Sequence, residues 1–347
     1  MPAMFLQNAW YVACWKADLG PTPKARTILG EPVVLFRGPD GKPAALEDRC
    51  CHRSLPLSLG KMLDGRLQCG YHGLEFDGTG AVVRVPGQTH VPPGARVKSY
   101  PVVEKLNAIW IWMGDPAQAD ESRIPNLFWL ADPAWVPACG EIHMRANYQL
   151  LVDNLLDLTH VSYLHLRTIA GDPAEGLVPV KTTREGERVT IARWMLEFPP
   201  PPMFAAAGGF KGLVDRWQIV NWEPPSTVFL DIGCADAGSG APQGNRARGI
   251  SMWSTHLITP ETETSTHYHW CYARNYRLNE PRVTELLQQG GALTFGEDVA
   301  AIEVQQKNLL RFAGAPSIDI NIDKAPLLAR RILADRIAAE QGARAAE

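Results

Sequence analysis

Cys50-Cys51-His52-Arg53, the sixteen residues from Arg53 through Gln68, and then Cys69-Gly70-Tyr71-His72-Gly73 constrain this chain more than any other feature. The pattern is C-x-H followed by C-x2-H, so each of two short loops hands over one sulfur and one nitrogen. That is the ligand set of a [2Fe-2S] centre with both cysteines on one iron and both histidines on the other. The intervening residues must return the chain so that the loops face each other, and Asp64-Gly65 supplies a turn for it. Two cysteines and two histidines also suit tetrahedral Zn(II), but zinc sites rarely use C-x-H in place of C-x2-C. A neutral nitrogen in place of an anionic sulfur raises the potential, which suits an electron relay. Only Cys50 keeps the C-x-H spacing, so Cys51 is expected as a small packed thiol.

At 347 residues the chain is too long for that centre alone and suits two domains. Lys plus Arg number 34 and Asp plus Glu 37, a net charge of -3, which gives no electrostatic case for nucleic acid. Met1 to Trp15 has no basic region ahead of its apolar residues, and no run of eighteen apolar residues occurs. The expectation is a soluble, non-membrane, cytoplasmic protein. Beyond the two cluster cysteines, Cys14, Cys51, Cys139, Cys234 and Cys271 are scattered. They form no dense disulfide framework, as a reducing compartment requires.

Short β-branched and aromatic runs at Pro32 to Arg37, Ala81 to Val85 and Ala108 to Trp112, separated by Gly/Asp turns, predict a small all-β domain around the cluster. Gly114-Asp115-Pro116 closes it and a polar connection runs to about Pro125, dividing the chain into 1–118 and 119–347. The second part reads as helix plus antiparallel sheet, so the whole is α+β. Its helices are expected at Gln149 to Leu164, Pro281 to Arg311 with an interruption at Gly290-Gly291, and Ala325 to Gln341. Strands are expected at Val180 to Ala192, Trp217 to Ile219, Thr227 to Ile232, Ile250 to Ile258 and Thr266 to Tyr276. Long loops are expected from Pro199 to Gly212 and from Cys234 to Gly249.

Asp153 to His165 scatters ionisable groups through an apolar segment. On a helix, Asn154, Asp157 and His160 step back about 60° each time and form one stripe. His160 and His165 are about 140° apart on a regular helix, so they share a metal only if the helix ends or bulges between them. Two histidines and one carboxylate complete the facial triad of a non-haem Fe(II) site, which leaves positions open for O2. On the late helix, Asp298 falls about 40° from Ile302, inside an apolar stripe with Phe295, Val299, Gln306 and Leu309. Glu297, about 140° away, is expected to be solvated. Asp298 is therefore the third ligand expected, with Glu303 as the alternative.

With these two constellations, and Asn8-Ala9-Trp10-Tyr11-Val12-Ala13 at the start, the chain resembles the oxygenase components of Rieske non-haem iron oxygenases over essentially its whole length. It is most similar to the single-subunit branch that contains vanillate O-demethylase and dicamba monooxygenase, and Thr259 to Tyr268 strengthens the likeness. The resemblance implies that Cys50, His52, Cys69 and His72 hold the cluster with its histidine edges outward, and that His160, His165 and Asp298 hold the iron. It implies that Asp157 bridges a cluster histidine of one subunit to an iron-ligating histidine of its neighbour in a head-to-tail homotrimer, with Asn154 near the iron. It further implies O2 as co-substrate and electrons from NAD(P)H through a separate flavin and iron-sulfur reductase or a ferredoxin. The expected reaction is O-demethylation or another monooxygenation of a small aromatic substrate, most naturally an acid. Ring dihydroxylation is the alternative within the family, and a redox-silent zinc hydrolase the alternative outside it. Ser54 and Leu74 stand where the family often has glycine and an aromatic residue.

Trp217, Trp222, Trp253, His256, His267 and His269 are candidates for substrate contact, with sheet packing the competing explanation. Arg49, Arg53, Lys61 and Arg66 surround the cluster motif and could dock an acidic electron donor.

Overall fold

The computed structural model describes residues 5–346 apart from 167, 170–172, 247 and 248. Contacts divide the chain into two units. One is built on residues 5–124 together with Thr259–Glu263, and the other on Pro125–Ile258 and Thr264–Gly342. The first is an all-β domain and the second a mixed helix and sheet domain, an α+β chain.

Three antiparallel sheets make up the first unit. One pairs Trp10–Trp15 with Ala108–Trp112 and Val102–Lys105, and its first and central strands are buried throughout. The second runs Lys24–Ile28, Glu31–Arg37, Pro43–Glu47, Ser99–Tyr100. The third, which carries the cluster motif, runs Lys61–Leu63, Arg66–Gln68, Glu75–Phe76, Val82–Arg84. Asp64 and Gly65 both take positive φ (50° and 75°), as a two-residue hairpin requires. The tip Thr259–Glu263 joins this unit through Leu29 N–H to Pro260 O (2.9 Å) and Gly30 N–H to Glu261 O (2.8 Å).

A seven-stranded antiparallel sheet dominates the second unit. Its order is Val136–Met144, Ser265–Arg274, Gly249–Thr262, Thr227–Asp236, Val214–Glu223, Arg188–Phe198, Lys181–Glu185. The segment expected as one strand from Val180 to Ala192 is two strands turning at Gly186 (φ +59°). The edge strand Val136–Met144, for which the sequence offers little alternation, puts Cys139 directly opposite Cys271. That register joins two of the scattered cysteines in a disulfide, with Cα atoms 4.0 Å apart.

Helix α1 (Tyr148–Leu155) starts under Asn147, whose Oδ1 accepts the Gln149 N–H. It does not continue to Leu164. Asp157 Oδ1 accepts both the Thr159 N–H (2.7 Å) and its hydroxyl (2.5 Å), a local turn that outcompetes the helical backbone. The chain restarts as the four-residue α2 (Val161–Leu164). A short α3 (Pro202–Gly208) lies within the segment expected as loop. Helix α4 (Pro281–Arg311) is continuous through Gly290-Gly291. Gly291 serves close approach instead of a break: a Cβ there would sit 2.7 Å from Trp270 Cζ3 and 3.0 Å from Tyr272 Cε2. Helix α5 (Lys324–Ala346) follows. No helix among the described residues is long and apolar enough to cross a membrane.

Candidate functional site

The two cluster loops repeat one backbone device. Cys50 N–H donates to Leu55 O and Ser54 N–H to Cys50 O; Cys69 N–H donates to Leu74 O and Gly73 N–H to Cys69 O. The closing residue has positive φ in each loop, 57° at Ser54 and 73° at Gly73. Ser54 thus adopts the conformation that favours glycine, which explains why its position often carries one. Cys50 and Cys69 are buried in an apolar core with Leu57, Leu67, Leu74 and Phe76, and Cys51 packs at its margin.

His52 and His72 are exposed, with ring centroids 4.6 Å apart. Burial chiefly pushes the Cys50 thiol above its usual range, and its hydrogen bond with Cys69 adds to this. Two buried sulfur donors beside two paired imidazoles suit a cluster, whose charge inverts that preference for the neutral thiol. Of the nearby basic residues, Arg49 pairs with Glu47 and Arg66 with Glu75, while Arg53 and Lys61 are exposed.

In the second unit, His160 and His165 are the residues flanking α2 at its two ends, so the helix break that separates them from α1 also turns both rings inward. Their centroids lie 5.2 Å apart. The His160 Nδ1–H donates to the Asp157 main-chain oxygen, and the His165 Nδ1–H donates to Glu297 Oε2 (2.8 Å). Each ring therefore presents a bare Nε2, and both aim at Asp298 Oδ1, at 3.5 Å from His160 and 3.0 Å from His165. Two nitrogen lone pairs converging on a carboxylate oxygen repel one another unless a cation sits among them. The nitrogen and oxygen donors of these three residues all lie within 4.8 Å of one another.

Asn154 Nδ2 donates to Asp298 Oδ1 (3.0 Å), while its own buried Oδ1 has no partner among the described residues. The donor set fits a mononuclear iron.

Glu297 is not solvated as its wheel angle suggested. It takes the His165 Nδ1–H and the Thr168 hydroxyl (2.9 Å), because His165 approaches α4 from the side and reaches two successive residues. Glu297→Gln is expected to weaken iron retention by about tenfold. Iron content after dialysis against a fixed chelator concentration measures this, and unchanged retention would remove Glu297 from the support of His165. Glu303, the alternative ligand, instead accepts the Arg145 N–H (2.8 Å) and pairs with its guanidinium. Leu309, expected in the apolar stripe, is exposed.

A cavity opens beside the three ligands, about 570 Å³ when the open solvent at its mouth is included, walled by Leu155, Leu158, Ile169, Leu230, Ile232 and Phe295. Of the expected substrate residues only His256 lines it. Burial pushes the His256 ring down to about 3, so it is neutral. It bonds Tyr268 Oη (2.7 Å) and Ser254 Oγ (2.9 Å).

Strand parity removes all of the others but Trp222. On Val214–Glu223, Arg216 and Gln218 face the cavity and Trp217 the opposite side, where it bonds Asp231 (2.9 Å) and stacks under Arg246. On Gly249–Thr262, Ser254 and His256 face in, and Trp253 stacks on Trp129 at 3.9 Å. Trp222 is buried away from the cavity lining. His267 and His269 share a face, as alternation required, but both approach Glu141 (3.8 Å each) outside the cavity. Arg216, Gln218 and Ser254 were missed; once His256 is taken as inward, the cross-strand register would have pointed to them.

Residues 9–101 match the Rieske [2Fe-2S] domain family, and residues 144–339 match the vanillate O-demethylase oxygenase C-terminal domain family. The chain is 44% identical to a putative toluene-4-sulfonate monooxygenase system iron-sulfur subunit of Comamonas testosteroni, over 98% of this chain and 99% of that protein. It is 41% identical to the vanillate O-demethylase oxygenase subunit of a Pseudomonas species, over 98% and 97%. Its fold matches dicamba monooxygenase bound to 3,6-dichlorosalicylic acid with a TM-score of 0.91, at 35% identity over 97% of this chain and 99% of that one. With two metal sites of unlike donor chemistry in place, the chain belongs to the Rieske non-haem iron oxygenases of the vanillate and dicamba demethylase type, enzymes that combine a [2Fe-2S] cluster with a mononuclear iron.

Proposed function

We propose that this chain is the terminal oxygenase of a multi-protein system that oxidises a small aromatic acid, by O-demethylation of a methoxyaryl acid or hydroxylation of an aryl methyl group. The observation that carries the reading is the cavity, apolar on most sides, with His160, His165 and Asp298 on one wall. A mostly apolar wall with a few polar groups beside a metal site suits a small, largely apolar ligand. The relatives' names point the same way: toluene-4-sulfonate, vanillate and dicamba are all aromatic acids.

In this reading Cys50, His52, Cys69 and His72 hold the cluster, and His160, His165 and Asp298 hold Fe(II). Bound there, the iron supplies O2 activation, fed with electrons by the cluster. The protein's own residues do the rest. Asp157 O and Glu297 fix the two histidine rings, Asn154 holds Asp298, and the apolar wall keeps water from the reacting carbon. His256, neutral and hydrogen-bonded at both nitrogens, is a fixed part of the cavity wall. For a methoxyaryl acid the balance is one O2, two electrons and two protons in, with phenol, formaldehyde and water out.

The electrons come from NAD(P)H through a separate reductase or ferredoxin, which places the enzyme in the cytoplasm with that nucleotide pool. Exposed Arg53 and Lys61 beside His52 and His72 suit docking of an acidic donor. A homotrimer, by family likeness, would bring one subunit's cluster to its neighbour's iron. Oxygen uptake by the reconstituted system with 4-methoxybenzoate, vanillate and toluene-4-sulfonate is the test. Substrate-dependent uptake is expected, with one formaldehyde per O2 from the methoxy acids and a rate that falls as salt is raised. Absence of stimulation by every aromatic acid would overturn the proposal, and a salt-independent rate would remove Arg53 and Lys61 from docking.

A further inference from the structure

Two guanidinium groups are buried behind and within the cavity wall, Arg193 at 1% and Arg216 at 2% exposure. Among the described residues one carboxylate, Glu175, hydrogen-bonds them, while Asp157 acts on Arg193 only through space. Arg216 Nη1 donates to Glu175 Oε2 (2.5 Å) and its Nη2 to Ile169 O (3.0 Å). Arg193 spends its nitrogens on Gln218 Oε1 (3.1 and 2.7 Å) and on the main-chain oxygen of Glu175 (3.0 Å). Within hydrogen-bonding reach the two guanidinium groups therefore share one carboxylate among the described residues, and it is bonded to Arg216. Burial pushes Arg193 down to about 10, and repulsion from Arg216 adds to this. A buried, uncompensated cation is costly unless a counter-ion completes it.

The unfilled donor is on Arg216. Its Nε–H has no acceptor among the described residues, and Arg216 lines the cavity together with His160, His165 and Asp298. Gln218 lines it too, and because Arg193 occupies its Oε1 twice, the amide nitrogen is the end left to face a ligand. We propose that Arg216, with the Gln218 amide as second donor, anchors the anionic group of the substrate, a carboxylate or a sulfonate. The inference rests on the cavity being the substrate site. It adds a specificity-determining residue that strand parity hid, since Arg216 precedes the outward Trp217. A guanidinium suits this task because its charge survives burial and its planar donors match either acid.

Calorimetry on anaerobic holoenzyme with 4-methoxybenzoate, toluene-4-sulfonate and the neutral 4-methoxybenzamide tests it. Wild type is expected to bind at least one anion about tenfold or more tighter than the amide. Which anion gains more tells carboxylate from sulfonate. Arg216→Gln is expected to bring the anions to the level of the amide and leave amide affinity within about twofold, with cluster absorption and melting temperature reporting the fold. Equal anion and amide affinity in wild type, or a variant that weakens all three ligands alike, overturns the proposal.

Should Arg216→Gln fail to fold, Glu175→Gln decides. Removing the competing acceptor is expected to tighten anion binding, whereas unchanged or weaker binding means Arg216 is only a clasp for the segment after His165. Amide-stimulated oxygen uptake without any anion preference would sink Arg216 and leave the oxygenase reading standing. If none of the three ligands binds or stimulates uptake, the assignment of the cavity itself falls.

Discussion

Asp298→Ala is expected to abolish product formation, a loss of more than about a thousandfold, while the reduced cluster keeps its EPR signal. The carboxylate is 2% exposed and is the point on which the Nε2 atoms of His160 and His165 and the amide of Asn154 converge. Removing it takes away the one anionic donor of the set and leaves two neutral imidazoles, which hold Fe(II) too weakly to survive purification. The fold should tolerate the change. Alanine suits a helix interior, and Phe295, Val299 and Ile302 keep α4 packed without the carboxylate. Cluster absorption and iron content separate the outcomes: cluster iron retained and mononuclear iron lost is the expected result. Glu303→Ala, which touches only the Arg145 pair, should leave iron content unchanged. Substrate turnover retained in Asp298→Ala would remove this residue from the iron site.

What could be read from the residues divides along a physical line. Ligand sets were legible because their chemistry needs particular side chains at short, fixed spacings, as in the two cluster loops. Asp298 was legible for a related reason: a carboxylate inside the apolar stripe of Phe295, Val299 and Ile302 has to have a purpose. The wheel angle called for a break between His160 and His165, whereas the chain breaks before His160 and puts α2 between the two histidines. That place was not legible, because it depends on the Asp157 side chain capturing Thr159 in preference to the helical backbone.

The cavity wall was hidden by parity. A run such as Asp215-Arg216-Trp217-Gln218 has a period of two, and nothing local says which half faces inward, so the tryptophan was favoured and the arginine before it overlooked. Gly290-Gly291 misled for the opposite reason. Glycine reads as a break unless the partner is known, and here the partner is the ring of Trp270 on a distant strand. The Cys139–Cys271 disulfide likewise depends on register between strands far apart in sequence.

Asp157→Asn is expected to lower reductase-driven turnover by about a hundredfold, with the cluster still reducible and the iron still bound. The substitution is well matched to the site. Asp157 Oδ1 holds the Thr159 N–H and hydroxyl, and asparagine keeps an oxygen there, so the turn that delivers His160 survives. His160 itself is held by the main-chain oxygen of residue 157, which the change does not touch. What is lost is the charge on the second carboxylate oxygen, which makes no hydrogen bond among the described residues and so is available to a donor from a neighbouring subunit. Converting a charge-assisted hydrogen bond into a weak or mismatched one costs about 3 kcal/mol, the size of the expected rate loss. Stopped-flow reoxidation of the reduced cluster, with substrate and O2 present, reads that loss directly. Iron analysis and the rate of cluster reduction should both match wild type. If the variant turns over at the wild-type rate with both metals in place, the carboxylate of Asp157 does not join the two centres, and the link must run through a group outside the turn it builds.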